Sequence, residues 1–446
     1  HRDLHLSLRR QRQMCIRDSR LTCLIIFATT LKCFSVADDI SWTGWLGPKR
    51  DGFVSHFNTP SKWPKKLKKE WETNVGDGYG TAVVSKKRIY VHSRINNDEV
   101  IWCLDLNTGK PIWQNRYEVP FKMGGGGEPH GKGPKSNPTL ANNKIFTLSI
   151  TGILSAWNSD TGTLLWKKDH RSKFGERPHP YWGATTSPLV VNNRVYLHFG
   201  SDEKGFLSSM DIDTGKEIWK NGKDGAAYSS PLFAKINGIE QIIEWNHEDL
   251  QGVDIVTGKT LWKFHLPHRG TNQNMPTPSF HDGHVIVGGE KRGIRKIHPY
   301  LKNNKWHVTE KWHQKRAALN MSTAVINNNH LYGLSHYGLG ELFCIDITNG
   351  EIVWRGSGRS GDNATFLSTP NHILSLLSNG NLNIIKPEGS KSRIQAKYKV
   401  AETPTWAAPV LLRNRILVKD KNSLIMWQFT DCLLYTSDAA DEGLGV

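Results

Sequence analysis

Apolar and polar positions along this chain fall into one repeating phrase. An alternating strand runs into an aspartate, Thr-Gly follows after two residues, and a second short strand ends on a tryptophan, most plainly at Leu207–Trp219. Asp211 can accept hydrogen bonds from its own turn, Gly215 supplies the positive φ that closes a short hairpin, and the period-two alternation fits a pleated strand. The same hairpin is legible at Ile101–Trp113, Leu154–Trp166, Leu250–Trp262 and Leu342–Trp354. Weaker copies end at Trp312, after a longer polar insert, and near Tyr398, where Lys386-Pro-Glu-Gly-Ser replaces the turn; Trp71 has the final-strand context with no hairpin before it. These closing aromatics lie 42 to 53 residues apart.

Each repeat also has a first half: a small residue, a strand, an Asn/Gly turn and a second strand. It reads at Thr81–His92, Asn137–Leu148, Ser187–His198, Ser230–Glu244, Thr277–Val287, Ser322–Leu334, Thr365–Leu376 and Ala407–Val418. Eight four-stranded repeats in an all-β pattern predict an eight-bladed β-propeller. The last copy is followed only by Ser423–Gln428, three strands in all, so the segment Leu67–Val75 is expected to supply the fourth. An N-terminal strand in the C-terminal blade closes the ring and leaves no free edge. Trp71, Trp113, Trp166, Trp219, Trp262, Trp312 and Trp354 are assigned a structural role, wedged between adjacent blades with the indole N–H on a backbone partner.

These tryptophan-docking hairpins resemble those of quinoprotein-type, PQQ-binding-like eight-bladed propellers. The stretch Trp42-x-x-Trp-Leu-Gly-Pro-Lys-Arg-Asp-Gly52, with Arg359-x-Gly-Asp-Asn-Ala364 and Thr405-Trp-Ala-Ala-Pro409, looks most like the uncharacterised exported group of that family. The resemblance covers about residues 41–429 and is specific for fold. It implies one of three activities: a non-catalytic binding module, a dehydrogenase of alcohols or sugars using pyrroloquinoline quinone (PQQ) and calcium, or a scaffold for outer-membrane protein assembly.

The ends of the chain are a separate matter. Residues 9–19 and 432–442 can be encoded by one DNA sequence read in opposite orientations, so 1–19 and 431–446 are taken as translated sequencing adapter and set aside. Residues 20–37 read as a secretory signal ending in Ser35-Val-Ala37, and Lys32 before Cys33 argues against a lipid-anchored cysteine. An N-terminal extension, 38–66, then leads into the propeller at 67–430, and the mature protein is expected to be exported to the periplasm or cell envelope. Without residues 1–37 and 432–446 the chain keeps 51 Lys/Arg against 36 Asp/Glu, about +15. That balance, with runs such as Lys65-Lys-Leu-Lys-Lys69, allows an anionic envelope surface as partner, although scattered lysines on outer strands also blunt edges. No reading helix, RNP-like strand or zinc-knuckle pattern supports nucleic acid. Cys103 and Cys344 share one repeat position in non-adjacent blades, so they are expected to be buried thiols and not a disulfide. The protein is expected to be monomeric.

Site-like chemistry collects in the loops that lead into each first strand, which converge on one mouth of the channel. They carry Glu128, His130, Arg177, His179, Tyr181, Trp182, Tyr228, Asn272, Gln273, Asn274, Asn320, Asp362, Asn363 and Trp406. A ligand funnel built from one or two groups per blade is the expectation, its occupant a protein or a small molecule. The dehydrogenase alternative would use Glu128 or Asp362 as base and Asn274, Asn320 or Asn363 as calcium ligands; no metal site is otherwise assigned. Against it, the chain has no adjacent Cys-Cys pair and no Cys-x-x-Cys-His. The glycine-rich 124–133 skirts a phosphate loop, but Gly133 stands where Ser/Thr belongs and no helix is predicted after it, so it reads as a loop on the ligand face.

Overall fold

The computed structural model describes residues 41–270, 273–388 and 391–429. The segments read in the sequence as adapter and as signal, and Asn272, lie outside these residues. The chain folds as eight antiparallel four-stranded sheets. Their innermost strands are Val83–Ser85, Thr139–Ala141, Leu189–Val191, Leu232–Ile236, Ser279–His281, Val325–Asn327, Ala364–Ser368 and Val410–Leu412, numbered here as blades 1 to 8. In blade 8 the strand Lys68–Asn74 pairs antiparallel with Ser423–Gln428, with Trp71 opposite Met426. The ring therefore closes as the repeat count requires.

The hairpin turns show why the repeat needs its residues. Asp105 Oδ1 accepts from the Asn107 and Thr108 amides (3.1 and 2.9 Å) and from Thr108 Oγ1 (2.9 Å), and the Gly109 N–H donates to the Asp105 carbonyl (2.9 Å). Asp211 and Asp254 repeat the pattern. Gly109, Gly162, Gly215, Gly258 and Gly350 all have positive φ. Each also has the preceding blade's tryptophan lying on it: a Cβ at Gly162 would sit 2.5 Å from the Trp113 ring, and one at Gly258 2.6 Å from Trp219. Trp71, Trp166, Trp219 and Trp312 donate to the carbonyls of Leu106, Ile212, Ile255 and Ile347 of the next blade (3.0–3.3 Å).

The docking pattern breaks where the next blade lacks this turn. Trp262 faces blade 5, whose hairpin turns at Asn303-Asn304, and its N–H donates instead to Gln241 Oε1 in its own blade (2.6 Å). Trp113 keeps the docking position but its buried N–H has no hydrogen-bond partner, and Trp354 packs against the apolar cluster shared by blades 6 and 7. The backbone partner expected for every docking tryptophan is thus found for only some of them. Cys103 and Cys344 are free, buried thiols; burial pushes them up to about 12 and about 11.

Residues 42–54 cross the channel. Trp42 bridges Val84 of blade 1, the Leu140 amide of blade 2 donates to Thr43, and Arg50 donates to the Ser187 and Pro188 carbonyls of blade 3. Trp45 reaches Thr277 of blade 5 (3.1 Å), Gly52 is pressed against Val325 of blade 6, and the Val54 amide donates to the Ser368 carbonyl of blade 7 (2.7 Å), whose amide donates to the Gly52 carbonyl (2.8 Å). A segment touching the inner strands of six blades, or the residues leading into them, is a plug through their common axis. Its partners are the inward-facing amides and carbonyls that a ring of inner strands would otherwise leave bare.

Candidate functional site

Where each chain segment enters its inner strand, the backbone is extended and residues two apart share a face. One position forms a belt around the channel. The amides of Asn137, Ser187, Ser230 and Thr277 each donate to the hydroxyl of the corresponding residue one blade on (2.9–3.2 Å), and the Thr81 amide donates to Asn137 Oδ1. Small hydroxyl and amide residues are required here because their short side chains satisfy a neighbouring backbone without filling the channel.

Two residues earlier, every blade contributes one side chain to a funnel above the belt. In blade order these are Tyr79, Lys135, Thr185, Tyr228, Met275, Met321, Asn363 and Trp406. The cavity is about 320 Å³, with Trp45 of the plug at its base and His130 and Trp182 on its rim. Trp182 is fixed by its amide on Tyr228 Oη (3.0 Å), and the His130 ring meets Trp406 edge-on at 4.4 Å. Burial pulls the Lys135 ammonium down to about 8, partly opposed by Asp77 and Glu99, and its nearest acceptors are the carbonyls of Trp182 and Gly131 at 3.3 and 3.4 Å. Burial, then Lys135, lowers His130 while Asp362 opposes; burial pushes Tyr79 up to about 12. The result is an aromatic and thioether wall with a single ammonium and no carboxylate among its lining residues.

Of the residues singled out in the sequence, His130, Trp182, Tyr228, Asn363 and Trp406 meet in this funnel. The others stand apart from it. Arg177 lies over the Tyr181 ring (4.7 Å), His179 is buried against Phe121, and Gln273 binds His247 (2.9 Å). Asn274 is fully buried, donating to the Asn246 and His247 carbonyls (2.6 and 3.3 Å) and accepting from Arg292 (2.6 Å). Asn320, half-buried, and Asp362, exposed, are sequence neighbours of lining residues, and Glu128 is exposed. The glycine-rich loop cradles a carboxylate of its own chain: the Lys132 and Gly133 amides both donate to Asp77 Oδ2 (3.0 Å). Sequence reasoning missed Tyr79, Lys135, Thr185, Met275, Met321 and Trp45. Counting back two residues from each belt position would have found all but the last.

A family model described as outer membrane protein assembly factor BamB matches residues 97–356, more than half of the chain. The chain belongs to that family. BamB of Moranella endobia (strain PCIT) is 24% identical over 306 residues, covering 65% of this chain and 74% of the relative. Among solved structures, quinohemoprotein alcohol dehydrogenase from Comamonas testosteroni aligns with 88% of this chain and 81% of its own at a TM-score of 0.67 and 13% identity. BamB from Moraxella catarrhalis aligns with 81% of this chain and all of its own, at 0.56 and 14%. Identities this low carry the fold and not the chemistry.

This BamB-family, PQQ-like propeller can be tested for the calcium that the quinoprotein branch implies. Calcium takes six to eight oxygens, carboxylates among them. Asn274 is committed to backbone, Asn363 Oδ1 accepts from Ser322 (2.7 Å), and Asn320 lies outside the lining, so the three amides do not converge. With an ammonium as the funnel's charged group and both candidate bases outside the lining, the donor set does not fit calcium, and no redox step follows from it.

Proposed function

We propose that the protein is a non-catalytic binding scaffold of the cell envelope, related in role to BamB, which engages its partner through the funnel. The observation that carries this reading is the composition of the eight-membered ring. It offers a large apolar contact to an inserted side chain or small molecule, with Lys135 as one buried anchor for a negative charge, and its lining brings together no carboxylate base and oxygen-rich cation site of the kind a quinoprotein uses on a bound alcohol. No helix among the described residues is long and apolar enough to cross a membrane. The chain's net positive charge would favour contact with an anionic envelope surface.

Two experiments separate this from the dehydrogenase. A photo-crosslinking p-benzoylphenylalanine in place of Trp406, in cells that make an outer-membrane assembly complex, should trap a component of that complex, and the yield should fall when Met321→Trp fills the funnel. Purified protein supplied with PQQ and calcium should not reduce dye with an alcohol panel; turnover lost in Asp362→Ala would replace this reading with the enzyme.

A further inference from the structure

Outside the funnel, blade 4 brings together three metal-ligating side chains with no role in the site above. His247 and Glu248 form the turn between Ile239–Trp245 and Asp249–Asp254, and His268 follows the outer strand Thr260–His265. One ligand atom from each lies within 4.8 Å of the other two. The backbone holds them in place: the His268 amide donates to the His247 carbonyl (2.9 Å), the His247 amide to Gly225 (3.1 Å), and the Leu266 amide to Glu248 (3.1 Å).

The two imidazoles are prepared differently. His247 Nε2 lies 2.9 Å from Gln273 Oε1. An amide oxygen only accepts, so Nε2 carries the proton and Nδ1 keeps its lone pair, which is how an outer-shell bond orients a metal-ligating histidine. His268 Nδ1 is buried with no hydrogen-bond partner, and Glu248 Oε1 stands 4.0 Å from it. The rings stack at 3.5 Å and 8°. Asp202 adds negative charge nearby and has a buried oxygen without a partner.

We propose that His247, Glu248 and His268 bind a zinc-type divalent cation, with a fourth position open to water or to a group from another molecule. Two imidazoles and a carboxylate form the borderline donor set that zinc takes in open sites, whereas calcium and magnesium need oxygen. Binding would draw the donors from 4.8 Å to about 3.4 Å, the tetrahedral edge for bonds of about 2.1 Å, and turn the rings out of their stack.

The test uses the full chain, stripped with a chelator and desalted. Calorimetric titration with Zn²⁺ should give one equivalent, and Co²⁺ should give visible bands of a four- or five-coordinate site. Gln273→Ala should weaken binding about tenfold; His247→Ala and His268→Ala should each weaken it more, with circular dichroism unchanged. His268→Gln, closer in size, covers the case in which the alanine variant does not fold. Absence of saturable Zn²⁺ binding, or binding retained in the folded His268 variants, would overturn the assignment.

Discussion

Gly258 carries two constraints at once. Its φ of 71° is the turn's demand, and the Trp219 ring 2.6 Å from where a Cβ would lie is the neighbouring blade's. Gly238 has the first constraint without the second: φ is 79° and nothing lies within 4 Å of where a methyl would stand. Comparing them isolates inter-blade docking from backbone strain. Gly238→Ala should cost about 1 kcal/mol, the penalty of a positive φ for alanine. Gly258→Ala should cost about 2–4 kcal/mol, because the overpacking penalty of about 1–3 kcal/mol is added. Urea unfolding midpoints of the two variants would measure the difference, and equal losses would mean that the tryptophan yields freely. The hairpins were legible in the sequence because Asp, Thr and Gly act within five residues. The second job of the glycine was not, since its partner lies in another repeat.

The plug shows where local reading stops. Residues 42–54 have no periodicity, and their partners come from six blades, so nothing adjacent in sequence announces them. The funnel was half legible for a related reason. A polar residue before a strand either faces the channel or satisfies backbone, and only register against the belt tells Asn363 from Asn274; Lys135 looked like one more scattered lysine. The plug's contribution can be measured at the amides it covers. Val84, Leu140 and Ser368 donate to the carbonyls of Trp42, Thr43 and Gly52 (2.8 Å each), so each inner strand depends on the plug for that bond. Trp42 is buried and packs in the cluster shared by blades 1, 7 and 8. Trp42→Ala should cost about 3–5 kcal/mol and speed hydrogen exchange at these three amides. Trp45→Ala, which deepens the funnel base, should alter ligand binding with a smaller loss of stability. Unchanged protection in Trp42→Ala would show that the plug stays seated without its anchor.

Closure of the ring joins residues more than 300 positions apart, and a buried amine sits at the joint. Lys419, 2% exposed, donates to the carbonyls of Gly76 (3.2 Å), Asp420 (2.7 Å) and Lys421 (2.9 Å), and Gly76 lies just past the closing strand. Burial pulls its pKa from 10.5 down to about 7, with Asp420 and Asp77 opposing. The folded value is below the unfolded one, so between about pH 7 and 10.5 the unfolded chain binds more protons than the folded protein, and stability from this group rises with pH across that window. Below pH 7 both states are protonated and the cost of burying the charge is felt in full. A shift of this size corresponds to a few kcal/mol, on the order of 3–5. Lys419→Met removes the titration and leaves the Gly76 and Asp420 carbonyls without this donor, the Lys421 carbonyl keeping the Gly78 amide (3.3 Å), so it should lower stability most at pH 10 and least at pH 7. Other groups titrate in the same window, but they are common to both proteins and cancel in the difference between them. Urea midpoints for wild type and Lys419→Met at pH 7, 8.5 and 10 would give that difference. A gap that stays constant with pH would place the proton on Lys419 in the folded ring throughout, and the joint would then be an ion held by three carbonyls and not a neutral amine.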